Sequence, residues 1–260
     1  MTILEARNVE FGYCPGAAAV LSASIAVESG TLTAVIGSNG SGKSTLIRVV
    51  AGLLQPWSGG VFYRGRNLLD QKPQSLARQL AYVPQNASIA FPFTALEVVL
   101  TGRAPYHSRF QLENAEDQRI AMNALDQVGI AHLAHRRVTE LSGGERQMVT
   151  VARALAQEPE CLLLDEPSSS LDLKHRSALI RLLLDLRERK GLTVLMITHD
   201  LMLLEPGFDH VFALRCGRIA ASGPPQQVIT GDILVEVYDD AFIRTSRVNR
   251  QVCVWSQVHR

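Results

Sequence analysis

The stretch that most constrains this chain is Gly37-Ser38-Asn39-Gly40-Ser41-Gly42-Lys43-Ser44-Thr45. Before it stands Leu32-Thr33-Ala34-Val35-Ile36, apolar and β-branched, which reads as a buried strand. After it Thr45 to Ala51 reads as a helix, weakened by β-branched residues. A strand, a glycine-rich loop and a helix form the context that the Gly-x-x-x-x-Gly-Lys-Ser spacing requires. Glycines let backbone wrap a phosphate with no Cβ in the way. Loop amides and the helix N-terminus then face an anion. Lys43 is expected to reach β and γ phosphates, and Ser44 to ligate Mg²⁺. The chain is therefore expected to bind a nucleotide.

Its 260 residues, 47% hydrophobic and 20% charged, suffice for one large domain or two small ones. A formal charge of +1 argues against a strongly nucleic-acid-binding surface. Cys14, Cys161, Cys216 and Cys253 form no C-x-x-C pair and read as buried thiols of a reducing compartment. His132 and His135 have no accompanying ligand pair and read as surface residues. The N-terminus shows no signal-peptide pattern, and no apolar run is long enough to span a bilayer. Any membrane role is then expected to come through a partner.

Short strands are expected at Ile3–Val9, Ser24–Val27, Gly60–Tyr63 and Leu80–Val83. They suggest an antiparallel layer beside a parallel core. Thr94 to Glu97 has capping-box spacing ahead of an apolar run, and Ala115–Val128 reads as a helix ending at Gly129. Residues 86–140 are accordingly read as an inserted helical subdomain. The nucleotide-binding core is assigned to 1–85 and 141–230, and 231–260 to a polar C-terminal tail. Between them come a helix at Gly144–Gln157, a strand at Cys161–Asp165, a helix at Leu173–Lys190 and a strand at Thr193–Thr198. Leu179, Leu183 and Leu186, with Ile180 and Leu184 beside them, form the stripe of a helix packed on a sheet.

Two constellations add chemistry. Cys161-Leu162-Leu163-Leu164-Asp165-Glu166-Pro167 is a buried strand exposing acids at its C-terminal tip. Asp165 is expected to hold Mg²⁺ and Glu166 to polarise the water that attacks the γ phosphate. In Leu141-Ser142-Gly143-Gly144-Glu145, Ser142 and Glu145 have capping-box spacing at a helix start bared by two glycines. That is a second anion-binding helix end. One nucleotide already has its cradle, so a head-to-tail dimer is expected, each copy closing over the other's ATP.

These three motifs, in this order, resemble the ATP-binding-cassette family over roughly Ile3 to Thr230. The resemblance implies an α/β P-loop core with an antiparallel β subdomain and an inserted helical subdomain. It implies further roles. Tyr13 resembles the aromatic that stacks on adenine. Gln85 resembles the glutamine that touches Mg²⁺ and the attacking water. Ser170-Leu171-Asp172 resembles the loop crossing the dimer seam, and His199 the histidine contacting the γ phosphate. Three positions depart from the pattern: Ser38 stands for a usual proline, Met148 for a common arginine, and Leu204-Glu205-Pro206-Gly207 interrupts a usually helical region.

A single cassette without fused membrane helices resembles importer ATPases. These work as homodimers on two separate permease subunits, peripheral to the cytoplasmic face of the inner membrane and indirectly fed by a substrate-binding protein. Gly102-Arg103-Ala104-Pro105 is similar to a stretch in ATPases that import ferric siderophores, haem and cobalamin, shared in part by molybdate importers. The expected function is ATP hydrolysis energising metal-chelate uptake, with ferric siderophore or haem ahead of cobalamin, and no nucleic-acid partner. The alternatives are a molybdate or other cassette transporter ATPase, or a cassette ATPase acting on nucleic acid. A kinase needs no second glycine helix end.

Overall fold

A computed structural model of the chain describes residues 1–85, 91–108, 113–204, 207–248 and 251–256. Asn86, where the helical block was expected to begin, and Glu205-Pro206 lie outside the described residues. The chain forms two compact units, Met1–Asp70 with Thr193–Arg260, and Gln71–Leu192. The first unit opens with β1 (Thr2–Cys14), β2 (Ala17–Glu28), β3 (Leu32–Ile36), α1 (Lys43–Val50), β4 (Ser58–Tyr63) and β5 (Arg66–Asn67). The second holds α2 (Pro73–Ala77), β6 (Leu80–Val83), α3 (Ala95–Leu100), α4 (Ala115–Gln127), α5 (Gly143–Ala156), β7 (Cys161–Asp165) and α6 (Leu173–Lys190). The chain returns to the first with β8 (Thr193–Ile197), β9 (His210–Arg215), β10 (Arg218–Gly223), α7 (Pro225–Val228), α8 (Gly231–Tyr238), β11 (Ile243–Val248) and β12 (Gln251–Ser256).

In the first unit β2, β1, β4 and β5 form an antiparallel sheet, as the short-strand pattern suggested. Both β1 and β2 run well beyond their legible cores of Ile3–Val9 and Ser24–Val27. Asn8 and Ser22 adopt positive φ, and the register between the strands shifts repeatedly. Each shift resets the two-residue alternation, so the extensions carry no continuous signal. A second group of strands runs β10-β9-β3-β8, with β3 parallel to both neighbours. Every residue of β3 and β8 is buried, which is why both read as unbroken apolar runs. Helix α1 packs on β1, β2 and β8 through Leu46, Ile47, Val49 and Val50, so the strand-loop-helix passage sits in the core of this unit.

Within 231–260, expected as a polar tail, the described residues form regular elements. They include α8, buried through Leu234 and Val237, and the hairpin of β11 and β12.

In the second unit β6 and β7 pair in parallel, and α3, α4 and α5 pack on one another. Helices α3 and α4 start where the sequence puts them, and α5 within one residue of it. Thr94, Asn114 and Ser142 each close a capping box with the residue three positions on. Gly102 lets the chain pass close to α5, because a Cβ there would fall inside contact distance of the Arg153 carbonyl. The next residue, Arg103, is 5% exposed. Its guanidinium donates to Asp117 Oδ1 at 3.1 Å, to the Ala156 carbonyl at 2.7 Å and to Glu158 Oε2 at 2.8 Å, and lies 3.9 Å from the Tyr106 ring centroid. It ties the start of α4 to the end of α5. Burial alone would raise the Asp117 carboxyl; the Asn114 N–H, Arg103 and His107 outweigh it and hold it below the usual range. The Gly-Arg pair thus has a packing role inside this unit. In α6, Leu179, Ile180, Leu183 and Leu186 are buried and Leu184 half-buried, with Asp172 and Gly191 as caps.

The cysteines need correction. Cys161 is buried, but Cys14 and Cys216 are exposed and Cys253 is intermediate. Cys14 closes an edge segment, and Cys216 sits at positive φ in the tight β9–β10 turn. Apolar neighbours in sequence do not bury a turn residue. Both His132 and His135 are exposed.

Candidate functional site: a phosphate loop and a carboxylate strand end

The loop from Gly37 to Gly42 bends sharply because its backbone has no room to do otherwise. A Cβ on Gly37 would collide with the Leu214 carbonyl, and one on Gly42 with the Ala19 carbonyl. Gly37, Gly40 and Gly42 all lie at positive φ. The β9–β10 turn braces the loop: the Gly217 N–H donates to Ser41 O and its carbonyl accepts from Leu21 N–H, both at 2.8 Å. Asn39 and Gly40 are exposed at the crest, Ser38, Gly42 and Ser44 are half-buried, and Gly37, Ser41, Lys43 and Thr45 are buried. Lys43 Nζ points back into the loop, donating to Gly37 O at 3.0 Å and Ser38 O at 2.9 Å. An ammonium is thereby held inside a ring of backbone at a helix N-terminus. Ser38 takes part through its carbonyl, which also accepts from Ser41 N–H at 3.2 Å, so the missing proline removes no contact. Ser41 Oγ is buried without a hydrogen-bond partner, a polar atom that suits a phosphate oxygen.

Tyr13 is the next-to-last residue of β1, beside this loop. Its ring is 60% exposed, which sets aside a core role. The hydroxyl lies 3.4 Å from Thr45 Oγ1, and Phe11 backs the ring edge-on at 5.2 Å. A flat aromatic face held over the phosphate-loop helix can stack on a purine. His199 follows β8, which stops at Ile197, one residue short of the expected end. It stands exposed beyond the buried strand, next to Asp200, whose N–H is held by Thr198 Oγ1 at 3.0 Å.

In the second unit the parallel register of β6 on β7 matches Val83 with Leu164. The chain then carries Gln85 to the same strand ends as Asp165 and Glu166. Gln85 Nε2 donates to Glu166 Oε2 at 2.6 Å. Asp165 is fully buried and accepts from Tyr82 Oη at 3.2 Å. Glu166 is half-buried at φ 49, a left-handed conformation that a non-glycine residue adopts at a cost of about 1–3 kcal/mol. Two bonds from Ser169 to the Glu166 carbonyl, at 3.2 and 3.0 Å, help hold it. The sequence reading missed Tyr82. Its signal was a lone polar-tipped side chain in the aliphatic run Leu80–Val83.

Helix α5 begins one residue earlier than expected, at Gly143. Ser142 Oγ accepts from Glu145 N–H at 3.2 Å, and Glu145 Oε2 accepts from Ser142 N–H at 2.7 Å. The Ser142 N–H holds the Glu145 carboxyl below its usual range. The glycines have no internal cause. A Cβ at Gly143 would find Ser170 Cβ at 4.0 Å as its nearest neighbour, and one at Gly144 would find Leu171 Cδ2 at 3.4 Å and Ser170 O at 3.5 Å. Neither glycine has positive φ. The loop Ser170–Asp172 therefore lies beside this helix start. Exposed Asp172 caps α6, accepting from His175 N–H at 2.8 Å. Met148 is buried in the core of this unit.

A family model described as "ABC transporter" matches residues 20–169. The hemin import ATP-binding protein HmuV of Nocardia farcinica is 45% identical over 214 residues, 82% of this chain and 73% of that protein. The iron(3+)-hydroxamate import ATP-binding protein FhuC of Bacillus subtilis is 35% identical over 256 residues, 98% of this chain and 95% of that protein. Among solved structures, a transporter described as metal-chelate type, in an inward-facing conformation, gives a TM-score of 0.83 at 28% identity, covering 98% of this chain and 96% of that one. The dimeric bacterial ABC transporter cassette MJ0796 gives 0.76 at 26% identity, covering 86% and 99%. The fold is thus the α/β core of an ABC ATPase, with its antiparallel β and helical parts. No described helix is long and apolar enough to cross a membrane. The chain belongs to the ABC transporter family, as one of its ATP-binding, ATP-hydrolysing members.

Proposed function

We propose that two copies of this chain power the uptake of a metal chelate, a ferric siderophore or haem, through two separate permease subunits. The observation that carries the dimer is the helix start at Ser142-Gly143-Gly144. Two glycines there have neither a positive φ nor a close neighbour to require them. Glycine in a helix costs up to about 1 kcal/mol against alanine, so an outside ligand is their reason. That ligand is the triphosphate held by the loop Gly37–Thr45 of the other copy. Asp172 then lies at the seam. The names of the hemin and hydroxamate relatives support the cargo class. Residues 86–140 meet the permease, on the cytoplasmic face of the membrane.

Within each pocket Tyr13 stacks on adenine, and the loop amides with Lys43 and Ser41 bind phosphate oxygens. Ser44, Gln85 and Asp165 offer a hydroxyl, an amide oxygen and a carboxylate, the hard oxygen donors that suit Mg²⁺. When bound, that ion neutralises charge on the β and γ oxygens. Glu166 accepts a proton from water as the water oxygen bonds to the γ phosphorus and the bond to the β–γ bridging oxygen breaks, giving ADP and phosphate. Gln85 orients the carboxylate of Glu166, and His199 contacts the γ phosphate. Loss of the bridging phosphate opens the dimer.

The test is to reconstitute the chain with its permease and binding protein in proteoliposomes. Ferric hydroxamate or hemin should stimulate ATP hydrolysis and accumulate inside. Stimulation by molybdate alone, or a salt-dependent shift on RNA with no cargo response, would refute the reading.

A further inference from the structure

An exposed aromatic ring binds a base well only if its plane is fixed beforehand, because any freedom it keeps must be given up on binding. Tyr13 is 60% exposed. Its hydroxyl reaches Thr45 Oγ1 only at 3.4 Å, beyond the usual length of a hydroxyl hydrogen bond, so this contact marks the tip of the ring without setting its plane. Phe11 sets the plane. The two ring centroids lie 5.2 Å apart at an interplanar angle of 90°, the edge-to-face arrangement that aromatic quadrupoles favour.

Phe11 is itself backed. Trp57 stands directly before β4, and its N–H donates to the Glu10 carbonyl at 2.7 Å, which brings the indole alongside β1. The indole lies 6.1 Å from the Phe11 ring, tilted by 34°. Between Phe11 and Tyr13 the chain has Gly12, where a Cβ would fall 2.2 Å from the Ala17 carbonyl oxygen and 2.5 Å from Trp57 Cη2. The indole thus occupies the place a side chain would take. Trp57, Phe11 and Tyr13 form a row of rings that runs from the entry of β4 to the phosphate-loop helix. Trp57 nevertheless leaves 49% of its surface in water, so core filling is not what places it there. An aliphatic side chain would fill the half-buried place of Phe11 equally well if packing were its whole purpose.

We propose that Phe11, backed by Trp57, is a positioning residue for nucleotide binding: it fixes the plane of the Tyr13 ring before the base arrives, a role that rests on reading Tyr13 as the adenine-stacking ring. The experiment is calorimetric binding of ADP, and of inorganic pyrophosphate as a probe with phosphates but no base, to the full chain and its variants. Phe11→Leu should bind ADP about threefold to tenfold more weakly, the worth of one edge-to-face pair, and pyrophosphate with parental affinity. Trp57→Ala, at a half-exposed position, should repeat that pattern with a loss of about threefold on ADP. Tyr13→Ala should lose at least as much as Phe11→Leu, again on ADP alone. Parental ADP affinity in Trp57→Ala or in a folded Phe11→Leu, beside a loss in Tyr13→Ala, would overturn the positioning role and leave the stacking role standing. Parental ADP affinity in Tyr13→Ala would overturn the stacking role and the positioning role with it. A matching loss of pyrophosphate binding in Phe11→Leu would also overturn the proposal, since a distorted β1 would then have reached the phosphate loop.

Discussion

Gly143→Ala separates what this chain needs as a monomer from what it needs in function. The residue is the first of α5 and is exposed, with Ser142 as N-cap. An added Cβ would meet nothing nearer than 4.0 Å, an ordinary contact distance, and the backbone is not at positive φ. Alanine also loses less conformational entropy on folding. The isolated chain should therefore gain about 0.5 kcal/mol, less than the full helix-interior difference because the site is terminal. Calorimetric unfolding should show a midpoint higher by about 1–2 °C. Hydrolysis should move the other way. In the proposed dimer, a methyl group there would displace the partner copy's γ phosphate by about 1 Å, and displacements of that size cost on the order of a hundredfold in rate. The assay is ATP turnover by the permease complex, beside ATP-dependent dimerisation in gel filtration. A variant that is more stable and retains parental turnover would refute the idea that this helix end receives a phosphate.

Other expectations follow from the same geometry. Gly102→Ala should do the reverse of Gly143→Ala: its Cβ meets the Arg153 backbone, so it should cost about 2–3 kcal/mol and lower the midpoint by roughly 5–10 °C. A neutral result in thermal unfolding would show that the turn moves away from α5 freely. Glu166→Gln keeps the shape beside Gln85 but removes the proposed base, so ATP should bind while turnover falls by at least about a hundredfold and the dimer persists in gel filtration. Burial pushes the Cys161 thiol up to about 12, so alkylation at pH 8 of the folded chain should mark Cys14 and Cys216 and spare Cys161 in peptide mass spectra. The Glu145 carboxyl is held below its unfolded value of 4.5, so its contribution to the α5 cap is full above that pH and is lost as pH falls through the lowered value. Amide exchange at Ser142 should quicken in that acid window, and Glu145→Gln should abolish the change.

The sequence revealed those parts whose cause is local. Strands β3, β6 and β7 and helix α6 have the bounds their composition implies, because buried parallel strands are unbroken apolar runs and α6 carries both caps. The caps Thr94 and Ser142 show the same thing at single residues. Legibility failed where the cause was a distant backbone. The bulges at Asn8 and Ser22 hide the length of β1 and β2. The exposure of Cys14 and Cys216 depends on which turn each residue occupies. Tyr82 reached Asp165 only through pairing of segments far apart in sequence.

Gly102-Arg103 carries this distinction into function. As a string it points to a cargo class. In the fold Gly102 admits α5, and Arg103 caps that helix at Ala156 and fixes the start of α4 through Asp117. Its side chains are spent inside the second unit, so the pair can mark a cargo class only by marking a particular way of stacking α3, α4 and α5. Such a stack sets where its outer surface stands, and the outer surface is what a permease would meet. The cargo signal would then survive any exchange at exposed positions of α4 that keeps the stack. Arg103→Lys should lose it: one ammonium cannot supply the forked donors that reach Asp117, Ala156 and Glu158 together. In the permease complex that variant should keep ATP affinity and lose cargo-stimulated turnover, with the helical block loosened in hydrogen exchange. Retained stimulation with a loosened block would show that permease recognition does not depend on the stack, and the link between this motif and cargo would have to be sought elsewhere.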